Sequence, residues 1–308
     1  MGTGDQEPGT GNKHNILQNK NFPIPDSRSP APGVLYIVAT PIGNLEDITF
    51  RAVRILKEVD MVAAEDTRHS RKLLSHLGIS KPLTSYFDHN QNFKGNYLLD
   101  RLKEGISVAL ISDAGTPCIS DPGYQLVRDA IKAGIPVVPI PGASAVLAAL
   151  SAGGLPTDTF TFVGFLPARA GTRRKRLATL KDETGVLVLY ESPKRLLATL
   201  ADIHDICGDR EVVVARELTK IHEEFIRGEA GSVLEVLRER QIRGEVVILI
   251  GAQAEREEAE LPDAVGPLRQ YLRVDGISLK DAVKRAVNET GRPRGEVYAA
   301  ALRIKAEE

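Results

Sequence analysis

From Gly33 onward, short runs of consecutive apolar residues alternate with stretches in which apolar residues recur every three or four positions. The first pattern predicts buried strands and the second amphipathic helices. Strands are expected at residues 34–39, 61–64, 83–87, 107–112 and 136–140. Ile48, Val53, Ile55, Leu56 and Val59 form one helix stripe, and further helices are expected at 71–77 and 96–103. Asp121-Pro122 reads as an N-cap with proline at the first helical position, and Gly134 as the end of that helix. Repeated βα units of this length imply a mostly parallel sheet with helices on both faces.

A second α/β run begins near Ala152-Gly-Gly-Leu-Pro156. Its strands are expected at 159–165, 185–190, 211–215, 223–227 and 246–250, and its helices at 173–180 and 194–206. The strands at 211–215 and 223–227 leave no room for a helix between them. They predict an antiparallel hairpin, so this sheet is mixed. Then the composition shifts. Ala254-Glu-Arg-Glu-Glu-Ala-Glu260 is an acidic connector before Pro262. Ser278 opens a capping-box-like start, and Leu279, Ala282, Val283, Ala286 and Val287 make a helical stripe. Gly291 breaks that helix and 295–304 forms another, a helix-turn-helix-like tail. The expected fold is therefore α/β, with two α/β domains at 33–150 and 151–253. A connector and helical tail occupy 254–308. Residues 1–32, rich in Gly, Pro, Asn and Ser, read as a disordered extension.

Composition narrows the function classes. The 308 residues are 42% apolar and 26% charged, with net charge −1, as in ordinary globular proteins. Any nucleic-acid binding must rest on local patches. No apolar run approaches the ~20 residues that cross a bilayer, and the N-terminal segment lacks a secretory apolar region. A cytoplasmic protein is expected, with no membrane partner. Two distant cysteines, Cys118 and Cys207, fit a reducing compartment. No C-x-x-C or H-E-x-x-H occurs, and His69, His76 and His89 are scattered, so no metal is expected.

Three strand ends carry loops rich in Gly and Pro: Thr40-Pro-Ile-Gly-Asn-Leu-Glu-Asp-Ile-Thr49, Ser112-Asp-Ala-Gly-Thr-Pro-Cys-Ile-Ser-Asp-Pro-Gly123, and Pro139-Ile-Pro-Gly-Ala-Ser-Ala145. Such loops let backbone groups approach a ligand closely, and ligands of open α/β sheets bind outside the carboxyl ends of strands. With no G-x-G-x-x-G and no Gly-Lys pair for a P-loop, the ligand is not expected to be held by its phosphates.

These loops resemble those of the tetrapyrrole-methylase-like S-adenosylmethionine (SAM) methyltransferases. Ala64-Glu-Asp-Thr-Arg68, Phe162-Val-Gly-Phe-Leu-Pro167, Tyr190-Glu-Ser-Pro193 and Ala215-Arg-Glu-Leu-Thr-Lys220 extend the likeness to the bacterial ribosomal RNA small-subunit methyltransferase I subgroup. It covers about residues 33–251. The resemblance implies two α/β domains with SAM between them, 2′-O-methylation of a cytidine in the decoding region of 16S rRNA, and a homodimer. Carried over residue by residue, it places Pro41, Asp113, Ala114, Thr116, Ser144 and Ala145 at the cofactor. Tyr190, Glu191 and Leu218 join them from the second domain.

A ribose hydroxyl is a poor nucleophile and benefits from a general base. Asp88, in Asp88-His89-Asn90 after the third strand, is one candidate; Glu191 and Glu217 are others. A turn cap for Asp88 and an ion pair for Glu217 are the plainer readings. Arg169, Arg173, Arg174, Lys175 and Arg176 form the densest basic cluster and are candidates for RNA phosphates, against the plain reading of a solvated helix face. Lys280, Lys284, Arg285, Arg292 and Arg294 make the tail basic; packing or dimerisation is its other role. Two functions compete with rRNA methylation. One is methylation of a corrin precursor, which the basic cluster disfavours. The other is a non-catalytic RNA-binding or assembly factor, which the intact strand-end loops disfavour.

Overall fold

The computed structural model describes residues 32–87, 91–252, 263–274 and 276–307. The N-terminal extension up to Ala31 and the acidic connector lie outside these residues. The chain divides into two compact units between Ser144 and Ala145.

In the first unit, β1 (Leu35–Val38), β2 (Met61–Ala64), β3 (Leu83–Ser85), β4 (Val108–Ile111) and β5 (Val137–Ile140) form one sheet in the order β3-β2-β4-β1-β5. Every pairing is parallel. β2 and β4 are buried at all four positions, which is why they read as unbroken apolar runs. The helices α1 (Phe50–Glu58), α2 (Thr67–His76), α3 (Gln91–Lys103) and α4 (Tyr124–Lys132) follow strands β1 to β4. Thr49 caps α1 by accepting from the Ala52 amide at 3.0 Å, and Asp66 caps α2 by accepting from the Arg68 amide at 2.7 Å.

The start of α4 corrects the sequence reading. Asp121-Pro122 stays in the preceding turn, and the N-cap is Gly123 at φ 147°. A Cβ there would fall 2.5 Å from the Cys118 sulfur and 2.9 Å from Leu110 Cδ2. The chain can enter the helix over the half-buried Cys118 only through a residue without a side chain.

The second unit opens with α5 (Ala145–Gly153), a helix without polar periodicity that the sequence reading missed, packed on β10 and β8. Arg227 donates to the Gly153 and Ala152 carbonyls at 2.9 and 2.7 Å, satisfying acceptors at the helix end. The strands β6 (Phe160–Phe165), β7 (Val186–Glu191), β8 (Glu211–Arg216), β9 (Glu224–Glu229) and β10 (Val246–Ile250) order as β6-β7-β10-β8-β9. β6 and β7 are parallel and the rest antiparallel, so the expected hairpin and mixed sheet are both present. α6 (Ala170–Leu180), α7 (Leu196–Cys207) and α8 (Ala230–Arg238) complete this layer. Leu177, Leu200, Ile203, Val233 and Leu234 join the core with the strand residues.

The tail holds three helices, α9 (Val265–Leu272), α10 (Leu279–Thr290) and α11 (Arg294–Glu307), where two were expected. They share their own core of Leu268, Val283, Ala286, Val297, Ala301 and Ile304. Ser278 caps α10 and Gly291 ends it in the left-handed region at φ 70°. Among the described residues, no helix is long and apolar enough to cross a membrane.

Gly123→Ala is expected to lower unfolding stability by about 2 kcal/mol or more, because it combines a clash with a φ that side chains avoid. Urea denaturation measures it; a change below about 0.5 kcal/mol would mean the turn has another way to relax.

Candidate functional site

Because β4, β1 and β5 are adjacent and parallel, the three Gly/Pro-rich loops emerge side by side at one edge of the first sheet. They are fastened to each other. Thr40 and Gly115 exchange backbone hydrogen bonds at 2.9 and 3.0 Å, and the buried Thr40 hydroxyl donates to the Ser112 carbonyl at 3.3 Å. Thr116 Oγ1 donates to the Ala143 carbonyl at 3.4 Å, joining the loop after β4 to the one after β5. Small residues permit this closeness. A Cβ on Gly142 would come 3.0 Å from Ala39 Cβ, and one on Gly115 3.3 Å from Ile42 Cγ2. Gly115, Cys118 and Ser120 all hold positive φ, at 79°, 71° and 65°. Non-glycine residues in that region cost of order 1–3 kcal/mol each and gather at functional sites.

Asp113 has a more definite task than the sequence suggested. Its Oδ1 accepts from the Asp66 backbone N–H at 3.1 Å, tying the loop after β4 to the one after β2. Asp66 in turn holds Arg68 through an Nη2–Oδ2 contact of 3.1 Å. Ala64-Glu-Asp-Thr-Arg68 stood out only as part of a likeness; the geometry gives its Asp66 a positioning role. Pro41 is buried beneath the edge, Ala114 is exposed at it, and Thr116, Ser144 and Ala145 are half-buried. The three loops contain no Lys, Arg or His. An edge of carbonyls, hydroxyls and carboxylates without fixed cations suits a cationic or neutral ligand better than a phosphate.

In the second unit, Tyr190 packs against Phe162 and Phe165, at centroid distances of 5.1 and 5.6 Å. A register shift between Phe162 and Gly164, where Gly164 has φ 71°, brings Phe165 opposite Tyr190. Leu218 is buried between Glu217 and Thr219, which take φ 52° and 65°.

Two base candidates are committed to structure. The Glu191 carboxylate is 1% exposed. Oε1 accepts from the Ser192 amide and Arg195 Nε, both at 2.7 Å. Oε2 accepts from Arg195 Nη2 at 2.9 Å and Thr199 Oγ1 at 2.7 Å. Four bonds use a carboxylate's acceptor sites, leaving nothing with which to take a proton. Glu217 accepts from Lys220 Nζ at 2.9 Å and the Glu245 amide at 3.1 Å, which is the ion-pair reading. Asp88 lies outside the described residues.

The basic cluster also splits. Arg173 is buried and donates to Asp202 Oδ2 at 2.7 Å. Arg174 bridges Asp202 and Asp205 at 2.7 and 2.9 Å. These two pin α6 to α7, so Arg173 is not available to a phosphate. Arg169, Lys175 and Arg176 are exposed. The partners sit on a different helix, beyond what a local charge run discloses. Among the described residues no group of His, Cys, Asp and Glu could hold a metal ion.

The hydrogen bond from Lys220 leads in holding the Glu217 carboxyl below the ordinary glutamate range; the Glu245 amide and the nearby cations reinforce it against a burial effect. A lowered carboxyl stabilises the fold above its unfolded value, near pH ~4.3, and loses that contribution as pH falls through the folded value. Glu217→Gln should therefore show a shallower loss of stability below about pH 4.5 than the parent. Denaturant titrations at several acid pH values measure this; parallel curves would remove Glu217 from the acid response.

The sequence profile of the Tetrapyrrole (Corrin/Porphyrin) Methylases matches residues 34–234. A protein of Halalkalibacterium halodurans named ribosomal RNA small subunit methyltransferase I is 48% identical over 271 residues, covering 86% of this chain and 93% of its own. The protein of that name from Pseudomonas aeruginosa is 48% identical over 275 residues, covering 88% and 97%. Among solved structures, cobalt precorrin-4 methyltransferase, a cobalamin biosynthetic enzyme, aligns with TM-score 0.55 at 21% identity, over 70% of this chain and 94% of that one. Uroporphyrin-III C-methyltransferase of Thermus thermophilus, solved with S-adenosylhomocysteine, aligns with TM-score 0.52 at 21% identity, over 71% and 97%. These two likenesses concern the fold. A parallel sheet with three fastened loops, a mixed second sheet and relatives at this identity lead to one assignment: the chain belongs to the tetrapyrrole (corrin/porphyrin) methylase family, in the group of the small-subunit ribosomal RNA methyltransferases I.

Proposed function

We propose that this protein methylates the 2′-oxygen of a cytidine in the decoding region of 16S rRNA, with SAM as methyl donor, in the cytoplasm and as a homodimer. The observation that carries the reading is the cation-free edge where the loops after β1, β4 and β5 are fastened together. Its residues fit SAM: close-packed glycines, exposed Ala114, and hydroxyl and carboxylate oxygens of the kind that would suit a positive sulfur. When bound, SAM supplies an electrophilic methyl group on a cationic sulfur.

The rest is the chain's own work. Methyl transfer is an in-line displacement that depends on orientation, and the Thr40–Gly115 and Thr116–Ala143 contacts hold the loops still for it. Pro41, Asp113, Ala114, Thr116, Ser144 and Ala145 form the cofactor edge, and we assign Tyr190 and Leu218 to cofactor contact from the second unit. Glu191 supports β7 and α7 rather than the reaction. Asp88 is the carboxylate we retain as proton acceptor for the ribose hydroxyl. Arg169, Lys175 and Arg176 offer exposed charge to RNA phosphates. The curated relatives at 44–48% identity carry the rRNA methyltransferase name, which favours this substrate over a corrin precursor. Exposed Phe50 and Ile221, 96% and 98% accessible, provide apolar surface for self-association.

Tritium-methyl transfer to unmethylated small ribosomal subunits tests the reaction, with a corrin precursor as the competing substrate. Asp113→Ala should raise the SAM dissociation constant about tenfold or more, roughly 1.4 kcal/mol, because the loop after β2 loses its anchor. Asp113→Asn keeps Oδ1 as acceptor and should stay within about threefold. Calorimetry reads both; unchanged affinity in the alanine variant would take this loop out of the cofactor site.

Replacing Arg169, Lys175 and Arg176 together by Glu should leave SAM affinity intact and weaken RNA binding. The slope of log K against log salt should shrink by roughly 0.7–0.9 for each phosphate that is no longer neutralised. An unaltered slope would show that this face does not meet phosphate.

A further inference from the structure

The cofactor edge leaves the three-helix tail without a task, and one face of α11 carries residues that its core does not require. Val297, Ala301 and Ile304 turn into the core. At about 100° per residue, Arg294, Tyr298, Leu302 and Lys305 fall on one row beside that stripe. All four are exposed, Tyr298 at 46% and Leu302 at 47%. The row contains no carboxylate. Glu296, in the first turn, projects from roughly the opposite side and pairs with Arg292 at 3.7 Å. Over residues 263–308, past the acidic connector, nine Lys and Arg stand against seven Asp and Glu, although the whole chain has net charge −1.

An aromatic ring and an apolar neighbour, bracketed by Arg and Lys, match what unpaired RNA presents. Exposed bases stack on aromatic rings, and phosphates to either side meet cations. A helix-binding protein groove would ask for a wider apolar stripe than two residues. α10, the Gly291 turn and α11 also make two helices joined by a short turn, the arrangement that presents a second helix to nucleic acid.

We propose that the Arg294–Tyr298–Leu302–Lys305 face of α11 docks an unpaired segment of the ribosomal RNA substrate, with Tyr298 stacked on a base and the two cations on phosphates. The proposal rests on the reading of this protein as an rRNA methyltransferase and adds a second point of attachment on the same substrate.

The test uses the full chain and unmethylated small ribosomal subunits. Tyr298→Ala, and separately Arg294→Glu with Lys305→Glu, should each raise the half-saturating subunit concentration about tenfold, as expected when one base is no longer stacked or two phosphates are no longer neutralised. SAM affinity and the single-turnover rate at saturation should stay unchanged. Tyr298→Phe should bind like the parent, since the ring and not the hydroxyl stacks. The charge-reversal pair should flatten the salt dependence, and Tyr298→Ala should leave it unchanged. Circular dichroism verifies that each variant is folded.

Unchanged half-saturation in folded Tyr298→Ala overturns the proposal. So does a change in sedimentation mass with RNA binding intact, which would assign the face to a second copy of the chain. If the parent binds SAM but does not methylate subunits, the substrate reading fails instead. The face is then judged by fluorescence anisotropy with a single-stranded 16S rRNA fragment: weaker binding by Tyr298→Ala supports it and equal binding overturns it.

Discussion

The reciprocal pair of backbone hydrogen bonds between Thr40 and Gly115 sets the terms for the whole sheet edge. Two loops from neighbouring strands can exchange both bonds only if their backbones come nearly into contact. Gly115 meets that requirement at φ 79° with Ile42 close against it. On the other flank Gly142 lies against Ala39. Once these backbones are locked, the Thr40 and Thr116 hydroxyls have carbonyls within reach, and Asp113 can take the Asp66 amide. A bulkier residue at either glycine would separate the loops and undo the later contacts with them. The composition of the three loops follows from this closeness as much as from any ligand.

Much of this was legible in the sequence, for reasons particular residues make plain. Val108-Ala-Leu-Ile111 is buried at every position and reads as a strand because nothing polar interrupts it. The hairpin of β8 and β9 followed from spacing alone. Strand order was not legible: nothing in the chain between Leu35 and Ile140 states that β1 pairs with both β4 and β5. α5 escaped because Ala145-Val-Leu-Ala-Ala-Leu150 is apolar on all sides and offers no period. α8 is a plainer omission, since Val233, Leu234 and Leu237 have helical spacing and are buried. Asp121-Pro122 has the right chemistry for a helix start, but the N-cap is Gly123, where the chain passes too close to Cys118 for a side chain.

Charged residues were the least legible, because their meaning depends on distant partners. Arg173 and Arg176 look alike in sequence; one is buried against Asp202 and the other faces solvent. Glu191 sits in a stretch that invites a catalytic reading, yet Arg195 and Thr199 on the next helix occupy its oxygens. Glu217 keeps its charge because Lys220 is beside it. In each case the neighbour that settles the role comes from another element or from the far side of a turn. The buried pairs Arg173–Asp202 and Arg195–Glu191 are costly to break from one side, so they hold α6, α7 and β7 together more than they add to affinity for a ligand.

The strand order also carries a consequence for how the chain is made. β1 is an interior strand, yet both of its partners are synthesised long after it. Leu35–Val38 has no neighbour to pair with until Val108–Ile111 has left the ribosome, and its second side stays open until Val137–Ile140 follows. β2 and β3, close in sequence, can pair earlier. At about 5–20 residues per second, the wait lasts several seconds. During it an apolar strand with two free edges is exposed, the situation in which parallel sheets are most open to aggregation. For a growing chain the most vulnerable moment is thus before β4 emerges, and the loop that follows β4, with Gly115, arrives together with the strand that first covers an edge of β1.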